Sequence, residues 1–207
     1  MRLFVAIPLA DAVVREIAAV VARLRKAEGA ERNGGMRWTA PESWHITLQF
    51  LGNATEAQFE CLRVSLGGVR SAPVPVRLGE LGCFDRAGVF FAGVTVTPEL
   101  ATLQKKVAAA ASRCGFVAEA RAFRPHITLA RKAGDKGPRE QGNKRPNPLA
   151  QVGSVGRSGA LRELMIQAGR GPAFTGFTAR EFLLYESHLE PGGARYEVRM
   201  RVPLEGA

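Results

Sequence analysis

Two of the three histidines in this 207-residue chain are followed by the same three residues: His45-Ile46-Thr47-Leu48 and His126-Ile127-Thr128-Leu129. A repeated tetrapeptide alone is weak evidence, since a chain of this length yields about half of one by chance. Histidine is scarce here, however, and the accident that two of three share their next three residues is roughly one in a thousand on ordinary composition. In an extended strand successive side chains point to opposite faces. His45 and Thr47 therefore share one face, and Ile46, Leu48 and Phe50 the other. His126 and Thr128 pair in the same way, opposite Ile127 and Leu129. Each copy is an amphipathic strand that presents an imidazole and a hydroxyl roughly 6–7 Å apart along its polar face.

Two imidazoles and two hydroxyls across one cleft are suited to phosphodiester chemistry. A neutral imidazole takes a proton from the nucleophile, and a protonated one gives a proton to the leaving oxygen. Both states coexist near neutral pH because histidine titrates there. The hydroxyls of Thr47 and Thr128 can donate to non-bridging phosphate oxygens, whose charge must be held through the transition state. Histidines on opposite sides of phosphorus suit in-line attack. This chemistry requires no metal and no organic cofactor, and two histidines without a carboxylate or cysteine cluster make a thin metal site. Arg131, just after the second copy, is a candidate further phosphate or nucleotide contact. Strict alternation puts it on the core side, so it reaches the cleft only through a bulge or a strand end. Arg124 is on the favourable face but precedes Pro125, and it is left out of the expected site.

The elements that must position these residues follow from periodicity. Residues 2–9 read as a buried strand bounded by Pro8, and Asp11 caps a helix with Val13, Val14, Ile17, Val20, Val21 and Leu24 at helical spacing. Extended segments over 36–39 and 44–51 follow. Thr55 and Gln58 form a capping box for a second helix that ends at Gly67-Gly68. Strands at about 74–84 and 88–97 flank Asp85-Arg86-Ala87-Gly88, a hairpin signal. A third helix runs from Thr97-Pro98 to Gly115, and a strand covers 126–131. A short helix near 159–168 precedes closing strands at about 177–189 and 194–203, joined by Glu190-Pro191-Gly192-Gly193. Strands and helices interleave without regular alternation, which predicts an α+β fold of mostly antiparallel sheet. No dinucleotide or P-loop glycine motif is present.

At this point the sequence resembles the 2H phosphoesterases, and within them the RNA 2′,3′-cyclic phosphodiesterases, also called 2′-5′ RNA ligases. That family carries two H-x-[ST]-x motifs. Residues 1–7 resemble its first strand, WHITLQFLG over 44–52 and FRPHITLAR over 123–131 its motif strands, and Leu184-Tyr185-Glu186-Ser187 with Tyr196 its closing hairpin. The likeness implies one domain over 1–207, with two pseudo-symmetric lobes around a V-shaped cleft and helices outside. It implies hydrolysis of a terminal 2′,3′-cyclic phosphate to a 2′-phosphate. His45 resembles the proton donor to the leaving 3′ oxygen, His126 the base that activates water, and Thr47 and Thr128 the phosphate ligands. It also implies that a 5′-hydroxyl could join a cyclic phosphate in a 2′-5′ linkage. The order of acid and base comes from the likeness alone.

Composition fits a partner of this kind. Hydrophobic residues make up 46% and charged residues 23%, an ordinary globular balance, and the net charge is +10 with a pI near 10.4. Such a field favours polyanions, so RNA with a 2′,3′-cyclic phosphate end or a related cyclic nucleotide is the expected partner. From Arg131 to Asn147 six Lys/Arg and two Asp/Glu lie among glycines and prolines. That predicts a flexible basic insertion over about 132–158, longer than the family pattern, serving either as a solvated loop or as an RNA-contacting arm. No apolar run reaches membrane-spanning length, and no signal peptide is convincing. A soluble, cytoplasmic, monomeric protein is the expectation. Cys61, Cys83 and Cys114 are widely spaced and read as buried thiols. His188 reads as an exposed turn residue, and Trp38, Trp44 and Phe123 as packing rather than base-stacking groups. Two other readings fit the same cleft: a non-catalytic RNA-binding module, and a phosphodiesterase of small cyclic nucleotides or 2′-5′ oligonucleotides.

Overall fold

The computed structural model describes residues 1–27, 36–132, 164–166, 168, 173–190 and 193–206. It is α+β, with two four-stranded antiparallel sheets and a two-stranded ribbon. The strands are β1 (Arg2–Pro8), β2 (Met36–Trp38), β3 (His45–Asn53), β4 (Val74–Val76), β5 (Leu78–Phe84), β6 (Val89–Val94), β7 (His126–Lys132), β8 (Phe177–Ala179), β9 (Glu181–Glu190) and β10 (Gly193–Pro203). The helices are α1 (Asp11–Ala27), α2 (Glu56–Gly67) and α3 (Pro98–Arg113). The first sheet has the order β10-β9-β1-β3 and carries His45. The second, β2-β7-β6-β5, carries His126. The basic insertion lies almost wholly outside the described residues. Residues 164–166 and 168 are helical, with Leu164 and Ala168 buried, and the rest of the expected short helix also lies outside them.

The local chemistry explains most boundaries. Thr55 accepts from the Gln58 backbone N–H while the Gln58 side chain accepts from the Thr55 N–H, a complete capping box for α2. Thr97 caps α3 ahead of Pro98. The first helix differs in detail: Ala10 supplies the carbonyl that receives the Val14 N–H, so Asp11 is the first helical residue and not the cap. Its carboxylate there still opposes the positive end of the helix dipole. Gly88 closes the β5–β6 hairpin at φ 58°, and a Cβ there would meet Lys132 at 2.8 Å.

Two strands expected to be continuous are each split. Residues 74–84 form β4 and β5, because Pro75 has no amide to donate to a wide sheet and β4 pairs only with β8. Residues 177–189 break at Arg180, whose carbonyl accepts from the Leu204 N–H instead of continuing one ladder. Among the described residues no helix is long and apolar enough to cross a membrane.

The apolar faces of both motif strands lie in one core. Ile46, Leu48, Ile127 and Leu129 are all buried with Ile7, Leu62, Leu103 and Phe182. The helix α3 connects β6 to β7 in the second sheet but packs against β3 of the first. This arrangement locks the backs of the two motif strands together.

The cysteines overturn the reading of three separate thiols. Cys61 on α2 and Cys114 just after α3 form a disulfide across a Cα–Cα distance of 5.7 Å, and Cys83 stands outside it as a thiol that donates to Asp85. The pairing was illegible because it depends on two helices meeting in space, 53 residues apart in sequence. Closing a loop of that length is worth up to ~4 kcal/mol through restriction of the unfolded chain. Reduction, or the double change Cys61→Ser and Cys114→Ser, is expected to lower Tm by roughly 5–15 °C. A thiol titration of the denatured, unreduced protein should count one free thiol per chain. Three free thiols and no shift in Tm on reduction would contradict the pairing.

Candidate active site

Each histidine is fixed by the same local device. His45 Nδ1–H donates to the carbonyl of Ser43 at 2.8 Å, and His126 Nδ1–H donates to the carbonyl of Arg124 at 2.8 Å. A carbonyl can only accept, so Nδ1 carries the proton in both rings and Nε2 is left for chemistry. Both partners lie two residues before the histidine, at the entrance to the strand. Pro125 directly precedes β7, whereas β3 follows a short helical turn over Pro41–Ser43 that ends at the extended Trp44.

Aromatic rings enclose each imidazole. His45 lies against Phe4 (ring centroids 4.8 Å apart), Tyr196 (5.2 Å, edge-on) and Tyr185 (6.0 Å). His126 lies against Phe84 (4.9 Å, edge-on) and Phe91 (5.3 Å). Phe91 packs over Gly82, its cross-strand partner, and a Cβ there would meet the ring at 2.8 Å. Gly82 therefore leaves room for the Phe91 ring, which is tilted 59° to that of His126. The edges of the two boxes are set by alternation on β1, β5, β6, β9 and β10. The motif strands alone do not identify them, although Tyr185 and Tyr196 stand within the closing hairpin singled out by family likeness.

A β-bulge then brings Arg131 to the site. On β7 the register jumps from Thr128 opposite Phe91 to Ala130 opposite Phe90. Leu129 and Ala130 are both buried as a result, and Arg131 returns to the His126 face. Its positive charge acts on both His45 and His126. The carbonyls freed at the bulge are not left empty. Thr39 Oγ1 lies 2.7 Å from the Thr128 carbonyl and 2.9 Å from that of Leu129, and the Thr39 backbone N–H donates to Leu129 at 2.9 Å. The buried Trp44 donates its indole N–H to the same Thr39 hydroxyl at 2.9 Å. Trp44 immediately precedes His45, so this short network ties the start of one motif strand to the bulge of the other.

The electrostatics follow from the enclosure. Burial pushes His45 down to about 4, despite the opposing hydrogen bond to Ser43, and the charges of His126 and Arg131 push it the same way. His126 is also lowered, mainly by burial and then by Arg131 and Arg124. The Arg124 guanidinium sits 5.1 Å over the Phe84 ring, so the residue omitted from the expected site contributes both a carbonyl and a charge. Burial raises Tyr185 and Tyr196, which remain neutral phenols, and Arg131, Arg2 and Arg37 all act on Tyr196.

The charges of His126 and Arg131 act on His45, and Thr47 and Thr128 lie two residues on from the two histidines along β3 and β7. Trp38 packs edge-on against Phe90 and Trp44 lies in the core, in line with a packing role. His188 is corrected: it stands within β9, half-buried, with Nε2 3.1 Å from Glu197 on β10, and not in a turn. Among the described residues no three His, Cys, Asp or Glu side chains gather at metal-binding range.

The model of the 2′-5′ RNA ligase superfamily matches residues 9–141. An RNA 2′,3′-cyclic phosphodiesterase of Geobacillus stearothermophilus is 30% identical over 175 residues, which cover 82% of this chain and 48% of that one. The chain therefore spans about half the length of that relative. One of Archaeoglobus fulgidus is 26% identical over 200 residues, covering 95% of this chain and 97% of that one. The apo crystal structure of E. coli LigT superposes with a TM-score of 0.70 at 24% identity, covering 99% of this chain and 97% of that one.

Two outcomes follow from this geometry. Replacing Thr39 by Val strands the Trp44 indole N–H and the Thr128 carbonyl, while the Leu129 carbonyl keeps the Thr39 backbone N–H, at a cost of about 1–3 kcal/mol per stranded group. Tm should fall by several degrees, and a Tm equal to wild type would remove the network from the account. For His45, the folded protein resists protonation down to about pH 4, whereas the unfolded chain takes the proton near 6.5. Stability present above pH 6.5 is therefore lost as pH falls through that window. Tm should drop on acidification from pH 7 to about 4.5, and His45→Asn should flatten that dependence. An equally steep dependence in the variant would contradict the burial of a neutral imidazole.

Proposed function

We propose that this chain, which belongs to the 2′-5′ RNA ligase superfamily, opens the terminal 2′,3′-cyclic phosphate of RNA to a 2′-phosphate by metal-independent acid–base catalysis. The observation that carries this reading is the pair of matched imidazoles. Both have Nδ1 tied to a backbone carbonyl, so each offers Nε2 for proton transfer beside a threonine hydroxyl.

In the proposed step the cyclic phosphate lies between the two motif strands. Thr47 and Thr128 donate to its non-bridging oxygens, and Arg131 adds positive charge where negative charge grows. His126, the less enclosed of the two, takes a proton from water through Nε2. The water oxygen bonds to phosphorus in line with the bond to the 3′ oxygen. That bond breaks, and the 3′ oxygen takes the proton from Nε2 of His45. The products are a 2′-phosphate and a 3′-hydroxyl, and the two histidines have exchanged one proton.

His45 must be protonated for this step, although burial holds it near 4 in the free cleft. A phosphate anion supplies what is needed. A unit charge about 4 Å away is worth roughly 4 kcal/mol at an effective dielectric near 20. That corresponds to about three pKa units, enough to return the imidazole to the neutral range. Binding of the substrate thus charges its own acid. A 5′-hydroxyl taking the place of water would give a 2′-5′ linkage by the same proton movements. The same reading has the enzyme act as one two-lobed, monomeric domain on RNA in the cytoplasm.

The test uses a short RNA ending in a 2′,3′-cyclic phosphate, with EDTA present. Wild type should give only 2′-phosphate, and His45→Ala and His126→Ala should each lower kcat by roughly 100-fold or more. Sulfur in place of the bridging 3′ oxygen is a leaving group that needs no acid, so it should restore turnover to His45→Ala but not to His126→Ala. Restoration of the other variant would reverse the roles. An untouched RNA with turnover of small cyclic nucleotides would move the substrate to that class. No turnover of either would leave an RNA-binding module.

A further inference from the structure

The second sheet sets two guanidiniums side by side. Arg37 on β2 lies directly opposite Arg131 on β7, Arg131 lies opposite Val89 on β6, and Val89 lies opposite Phe84 on β5. Directly opposed residues of antiparallel strands share a face. Phe84 packs against His126, so the whole row stands on the His126 face, Arg37 included. Its two apolar members lie at the β5 and β6 end, and its positive charge is gathered at the β2 end. Opposed residues have Cα atoms about 4.5–5.5 Å apart. Two like charges at that spacing repel.

A third cation approaches from the first sheet. Leu3 and Val5 on β1 enter the core, so Arg2 shares the other face with Phe4, which packs against His45. The three charges meet at one group. Burial raises Tyr196, and Arg131, Arg2 and Arg37 all act against that rise. Tyr196 in turn lies edge-on to His45, 5.2 Å between centroids. Arg131 acts on both imidazoles as well. Arg37 is exposed and stands one strand further out. The cleft thus has an inner cation beside the histidines and an outer one next to it.

We propose that Arg37 binds the phosphodiester that precedes the terminal nucleotide, so that the site grips two consecutive phosphates, the cyclic one beside Arg131 and the next one in the chain beside Arg37. This rests on the function proposed above. Two long side chains that repel each other splay apart, and together they cover the length of one nucleotide. Anions placed against them remove the repulsion, and the planar fork of each guanidinium matches phosphate oxygens. An exposed cation also suits a phosphate that stays in water while its neighbour reacts. Phosphate contacts fix register and orientation without reading sequence, so Arg37 selects for chain length and not for base. A mononucleotide cyclic phosphate has no second phosphate. Arg37 is therefore the residue that separates an RNA end from a small cyclic nucleotide.

The experiment compares three substrates: uridine 2′,3′-cyclic phosphate, the dinucleotide UpU ending in the same cyclic phosphate, and that dinucleotide with an uncharged methylphosphonate as its internal linkage. Arg37→Ala should raise KM for the charged dinucleotide roughly fivefold, the scale of a strong exposed ion pair, with kcat nearly unchanged. It should leave the other two substrates within about twofold of wild type, and Arg37→Lys should recover much of the loss. The salt dependence of kcat/KM for the charged dinucleotide should become shallower by about 0.7 in log–log slope. An equal loss on all three substrates, or no loss on any, would overturn the proposal. Circular dichroism and Tm exclude misfolding. Binding of UpU ending in a 2′-phosphate is measured by calorimetry alongside. If wild type binds it in an Arg37-dependent way but turns over no cyclic phosphate, the proposed reaction fails and the second phosphate site stands. If binding is equal in wild type and Arg37→Ala, the second site fails whatever the activity.

Discussion

A pleated strand presents every second side chain to one face, and the site needs His126, Thr128 and Arg131 on the same face. The spacing is impossible in a regular strand. One bulge after Thr128 resolves it, and much of the surrounding structure serves that irregularity. The bulge exposes carbonyls that a buried strand cannot leave unpaired. Thr39 satisfies them, and Trp44 holds Thr39 in place. Because Trp44 is also the residue before His45, the device that turns Arg131 inward also joins the two halves of the site. A matching register break on β3, from Thr47 opposite Ala6 to Gln49 opposite Val5, returns Phe50 to the His45 face. The two halves thus share a backbone plan and differ in the side chain that the plan delivers.

Enclosure of the histidines in aromatic rings has two consequences. It fixes ring orientation, since each imidazole is flanked by aromatic rings and tied at Nδ1. It also removes water, which strengthens every charge in the cleft and drives both imidazoles toward the neutral state. A neutral pair is half-prepared for acid–base work. The missing proton on His45 is the one that an arriving phosphate favours, so the free enzyme need not hold two positive charges beside Arg131 and Arg124. The overall net charge of +10 favours polyanions in general, and the local desolvation sets the protonation of the two imidazoles.

Much of this arrangement was legible in the sequence, and the reasons are specific. The H-x-T repeat, its alternation and the capping signals are local patterns, and they led to the paired histidines, the threonines and the α+β architecture. Arg131 was legible only conditionally, because a bulge is not written in the strand that contains it. Gln49 is a partial signal, since a polar residue takes a core position after Leu48. What stayed hidden was set by contacts distant in sequence. The Cys61–Cys114 bond, the Phe84–Phe91 box around His126, and the pairing of His188 with Glu197 all depend on which elements meet. The splits at Arg77 and Arg180 arose from competition between sheets, which a single strand pattern cannot express.

The two-imidazole mechanism requires one phosphorus centre between the two Nε2 atoms. A crystal structure with uridine vanadate, a five-coordinate mimic of the transition state, tests this most directly. The prediction is that Nε2 of His45 and Nε2 of His126 lie within about 2.6–3.2 Å of the two opposite apical oxygens, with the threonine hydroxyls on equatorial ones. Vanadate held by one histidine alone, or seated away from both motif strands, would contradict the two-imidazole mechanism.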